Sequence, residues 1–83
     1  MTRQQRFIQQ INHIIMACGY VTETYADTLI RNFDFVTMPS EEMDNSVIFE
    51  LTCLCNHAAD GRAKEVYNCA KRIHEIMRDC HMI

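Results

Sequence analysis

The chain has 83 residues, 48% of them hydrophobic, with two glycines, one proline and a net charge of −3. So short a chain hides only about 60–65% of the surface it exposes unfolded, so residues 1–83 are expected to form one small domain around one core. The composition excludes disorder and disfavours many short strands, and no run of about eighteen apolar residues exists to cross a membrane.

The first element opens on Thr2-x-x-Gln5, the spacing at which a threonine oxygen and a glutamine side chain satisfy each other's backbone donors at a helix start. Phe7, Ile8, Ile11, Ile14, Ile15 and Cys18 then recur on one helical face, which predicts a first helix from Arg3 to Cys18 stopped by Gly19. Thr22 or Thr24 caps a second helix, with Glu23 and Asp27 near the positive end of its dipole. Its apolar face is Val21, Tyr25, Ala26, Leu29, Ile30 and Phe33, and it ends near Asn32 to Asp34. Pro39 forces Met38 out of helical conformation, so Asp34 to Pro39 is the main linker.

Ser40 caps a third helix whose first turn carries Glu41, Glu42 and Asp44. It contains Val47 to Cys55, VIFELTCLC, the most apolar stretch in the chain. A segment without a clean polar side is expected to be surrounded, at the centre of the fold. Met43, Val47, Leu51, Leu54, Cys55 and Ala58 share one face, and Phe49, Cys53 and Asn56 a second. The alternation from Phe49 to Cys53 also fits a strand, giving an α+β alternative with a small hairpin at about 35–55; the distance from Ser40 to Asp60 and the missing turn glycine favour the helix. The last run, Arg62 to Cys80, repeats Ala63, Val66, Ala70, Ile73, Met77 and Cys80 as a three-four seam, with a second seam at Cys69, Ile73, Ile76, Cys80 and Ile83. Lys71 with Glu75, and Glu75 with Arg78, have the spacing of ion pairs on its wet side. The fold class expected is all-α, a compact four-helix bundle.

Residues 23–60 hold eight acids against the single base Arg31, while both ends are mildly basic. Nucleic acid is therefore a disfavoured partner, since phosphate attraction needs a clustered basic face. Gly61 between two helices invites a helix-turn-helix comparison, but Glu65, Glu75 and Asp79 sit among the bases of the last run and would repel a groove. Cys53-x-Cys55-x-His57 offers zinc ligands, yet on a helix Cys55 points about 200° away from Cys53, so the three diverge and no metal is expected. Cys53 and His57 at helical spacing suggest a thiol nucleophile, but a chain this small leaves little room for a substrate cleft and oxyanion site, so no enzyme is expected. The two glycines are 42 positions apart and form no phosphate-cradling loop, so no cofactor is expected.

Five cysteines are an odd number, and the first residues make no signal-peptide core, so a reducing cytoplasm is the expected setting. Four broad apolar faces exceed what a small interior takes in, which points to a non-catalytic protein-interaction module, a small inhibitor or adaptor, with a protein partner. Self-association as a homo-oligomer is expected through Cys69, Ile73, Ile76 and Cys80, and Glu41, Glu42 and Asp44 are the surface expected to meet a basic partner. The alternatives are a ligand-holding module, with a zinc site or small-molecule pocket, and a helix-turn-helix nucleic-acid binder.

Overall fold

The computed structural model describes residues 1–83, and its elements are four helices, α1 (Arg3–Met16), α2 (Glu23–Phe33), α3 (Glu41–Ala59) and α4 (Ala63–Asp79), with no strand. The helix reading of Val47 to Cys55 holds, and the hairpin at about 35–55 is overturned because residues 41–55 lie inside α3 and residues 35–40 form a connection with no strand. Each helix packs on its sequence neighbours, and α4 returns to α1, while the backbones of α1 and α3, and of α2 and α4, stay apart across the core. The four thus close a ring around one core.

Side chains near the helix starts decide where three of them begin. Gln5 N donates to Thr2 Oγ1 at 3.1 Å and Thr2 N to Gln5 Oε1 at 2.9 Å, completing the capping box. Tyr25 N donates to Thr22 Oγ1 at 3.1 Å and Met43 N to Ser40 Oγ at 3.2 Å, so Thr22, not Thr24, caps α2. Arg62 precedes α4 without a side-chain cap.

Three helices end in the same way, with a left-handed residue after the cap and paired backbone bonds back to the last turn. For α1 these are Gly19 N to Ile14 O at 2.9 Å and Cys18 N to Ile15 O at 3.1 Å. The left-handed residue directly after the cap is therefore Cys18, at φ 53°, and Gly19 follows it at φ 81°. That displaces Cys18 from the apolar face expected for it and leaves it exposed. Beyond its positive φ, Gly19 has a second reason to be glycine: a Cβ there would sit 1.9 Å from the Ala63 carbonyl oxygen, so the loop after α1 presses directly on the first turn of α4. Gly61 ends α3 at φ 72° and His81 ends α4 at φ 59°.

The core takes Phe7, Ile11 and Ile14 from α1, Ala26, Leu29 and Phe33 from α2, Val47, Leu51 and Leu54 from α3, and Val66, Cys69, Ala70, Ile73 and Met77 from α4. Phe7 and Phe33 meet with ring centroids 5.3 Å apart and tilted, an arrangement aromatic rings favour. Val36 closes the base from the linker, whose one aromatic residue, Phe35, lies outside with the Arg3 guanidinium 3.4 Å over its ring. None of the helices is long and apolar enough to cross a membrane.

Candidate functional site

One expectation about α3 fails in an informative way. Val47 to Cys55 is not surrounded, because only Val47, Leu51 and Leu54 point inward. A ring of four helices needs one face from each, and the apolar residues beyond that face have nothing left to cover them. Ile48 is 45% exposed and Phe49 65% exposed, side by side in the middle of the helix. The other large apolar side chains in solvent, Met1, Met16, Tyr20, Phe35 and Ile83, lie at termini, at the end of α1 or in the linker. Of the second face expected on α3, Phe49 and Asn56 are exposed and Cys53 is half-buried.

Ile48 faces α2, at a shallow opening shared with Ile30 and Phe33. Phe49 faces α4, and with Ile76 it supplies the apolar surface of a groove of about 610 Å³ between the first half of α3 and the second half of α4. The rest of the lining is polar, including Glu42, Glu50, Glu75 and Asp79 against the single base Arg72. The groove is therefore an apolar anchor point set in negative charge.

At one end of the groove Arg72 Nε donates to Glu50 Oε1 at 2.9 Å, and Arg72 Nη2 to Cys69 Sγ at 3.5 Å. Glu50 is 13% exposed, and its Oε2 is buried with no partner. The hydrogen bond to Glu50 raises the Arg72 pKa above its ordinary value. Burial, followed by the Glu50 charge, pushes the Cys69 thiol up to about 11. Burial and then Asp27 push Cys55 up to about 11, and its Sγ lies 3.7 Å from Ala26 O. Both thiols are held neutral and shielded, the opposite of what a nucleophile or metal ligand requires.

The residues expected to meet a partner are not gathered in one place. Cys69 and Ile73 are 1% and 0% exposed, so these two members of the α4 seam expected to face a second copy are packed within their own chain. Only Ile76 and Cys80 from that seam remain half-buried. Glu41 and Glu42 are exposed on the first turn of α3, with Asp44 half-buried, and of the three only Glu42 lines the groove. The expected pairs of Lys71 with Glu75 and Glu75 with Arg78 are not formed; Lys71 sits over the Tyr67 ring at 5.7 Å and Arg78 lies 3.8 Å from Asp79. Cys53, Cys55 and His57 spread around α3, and no three His, Cys, Asp or Glu side chains come together as ligands.

Helical periodicity does not single out the Glu50–Arg72 pair, although the sequence carries a signal for it. In an antiparallel hairpin, residues equally far from the turn face each other, and Glu50 and Arg72 each lie eleven positions from Gly61. A carboxylate interrupting an apolar run, with a base at the mirrored position, is the pattern of an interhelical pair.

Fold and site together define a small all-α bundle with an apolar ridge on α3 and an acidic groove beside it. Comparison with protein-family models, with curated proteins and with solved structures finds no significant match. The functional reading therefore rests on the chain's own chemistry.

Proposed function

We propose that this chain is a non-catalytic protein-interaction module, a small adaptor or inhibitor that docks a protein partner through the outer face of α3. The observation that carries the reading is Ile48 and Phe49 standing together in solvent on a helix whose inward face is already filled. Apolar side chains exposed singly are ordinary, whereas adjacent large ones beside a groove are a common mark of a docking surface. Their retention opposes solubility, which a partner's coverage would offset. Docking anchors tend to be a few large side chains near the centre of a contact, ringed by polar groups that exclude water. Phe49 has that setting, with Glu42, Asn45 and Glu75 around it.

The earlier expectation of self-association loses its support on α4, because Cys69 and Ile73 would reach a mate only by opening the core. A cytoplasmic setting belongs to the same reading, and the five free thiols support it. The test is capture from the native host with the tagged full chain, the retained protein being identified by mass. Wild type and Thr28→Lys, a control on exposed α2, should retain the same partner, and Ile48→Lys with Phe49→Lys should lose it while melting as wild type does. Retention by all three would refute the reading.

A further inference from the structure

We propose that the α3–α4 groove receives a basic amphipathic segment of the protein partner, with one apolar side chain seated between Phe49 and Ile76 and lysines or arginines facing Glu42, Glu75 and Asp79. This rests on the docking reading above and adds the chemistry of what docks.

Charge complementarity carries the inference. Arg72 is the only base lining the groove, and Glu50 already occupies its Nε, so these two largely neutralise each other at one end. Glu42, Glu75 and Asp79 remain for the apolar centre and the other end. Asp79 has only the distant Arg78 guanidinium, 3.8 Å away and exposed on both sides, a contact worth little in water. An anionic ligand, including a nucleic-acid backbone, would meet the three carboxylates of Glu42, Glu75 and Asp79. A cationic one would relieve their mutual repulsion and draw its counter-charges from fixed positions.

The shape agrees with a chain segment rather than a small molecule. The groove is open along its length, and the stretch from Glu42 to Phe49 spans roughly 10 Å at helical rise, enough to face two turns of an incoming helix. Two apolar residues amid polar ones suit a segment with one greasy side chain and a polar flank, as when an amphipathic helix lies in a groove. A second copy of this chain is the weaker match, since four of its eight Lys and Arg are already engaged: Arg3 over Phe35, Lys71 over Tyr67, Arg72 with Glu50 and Arg78 beside Asp79.

A displayed library of random sixteen-residue peptides, panned against the folded full chain, tests this without knowledge of the partner. Peptides carrying net positive charge and a large apolar residue should be enriched. A synthesised winner should bind about tenfold more weakly to Glu42→Lys with Glu75→Lys, weaken as salt rises, and lose binding to Phe49→Lys. Winners that need Phe49 but are neutral or acidic, or that ignore the charge reversal, overturn the basic-segment inference and leave the docking reading standing. An absence of Phe49-dependent winners overturns both. Sedimentation of the free protein completes the test: a dimer abolished by Phe49→Lys would make a second copy the occupant and overturn the inference.

Discussion

Gly19 and Gly61 offer a direct test of how the ring closes. Both hold positive φ, at 81° and 72°, so alanine pays a similar conformational penalty at each, about 1 kcal/mol. They differ in what the added Cβ would meet. At Gly61 nothing lies within 4 Å, whereas at Gly19 the Cβ would be 1.9 Å from Ala63 O, 2.8 Å from Ala63 C and 2.9 Å from Tyr67 N. All three are backbone atoms of the first turn and a half of α4, so no rotamer change relieves the overlap. The nearest contact is roughly 1.5 Å short of normal separation, and forced overpacking of this kind costs about 1–3 kcal/mol. Gly19→Ala should therefore lose about 2–4 kcal/mol and Gly61→Ala about 1 kcal/mol. For a domain of this size that is a fall in Tm of about 8–30 °C against about 4–8 °C. Thermal melts followed by far-ultraviolet circular dichroism, with urea titration for the free energies, measure both. Equal losses at the two glycines would refute the claim that the loop after α1 is seated against α4.

The remaining predictions concern the other helix end, the buried pair and the thiols. Cys18→Gly should raise stability by about 0.5–1 kcal/mol, read as a shifted urea midpoint, because a non-glycine residue there holds φ 53°. Arg72→Ala should cost about 1–2 kcal/mol, since it strands a mostly buried carboxylate, while Arg72→Ala with Glu50→Leu should cost less than the single loss; a cycle of urea titrations gives the coupling. Cys69 and Cys55 hold their protons more tightly folded than unfolded, so stability should be unaffected by them below about pH 9 and fall from there to about pH 11, as the unfolded chain gives up thiol protons first. Melting temperatures across that range, compared with Cys55→Ala and Cys69→Ala, check the sign. Alkylation of the native protein at mildly alkaline pH, followed by mass, should mark exposed Cys18 ahead of Cys69.

Much of this fold was legible in the sequence because its signals are local. Thr2, Thr22 and Ser40 each precede an apolar period of helical spacing, and each accepts the expected backbone hydrogen bond. The side-by-side order of helices follows from short connections, which place sequence neighbours against each other. What periodicity does not carry is which of several apolar faces a neighbour claims. The last run offers two overlapping seams, and the fold draws on both, taking Val66, Ala70, Ile73 and Met77 from one and Cys69 from the other, which removes Cys69 and Ile73 from any outside contact. Conversely, the most apolar segment of the chain looked destined for the centre, yet each helix in a ring contributes only one side. The surplus on α3 went outward as Ile48 and Phe49. Gly19 reads in the sequence as a helix stop, and its role in letting two backbones approach emerges only once α4 folds back.

The central claim, that the outer face of α3 is where a partner sits, is most directly tested by a photo-crosslinking amino acid placed at position 49 of the full chain in its native host, with position 28 on α2 as the reference. The account predicts a single heavier adduct from position 49 whose mass identifies a second protein, and none from position 28. No adduct from position 49, or the same adduct from both positions, would contradict it.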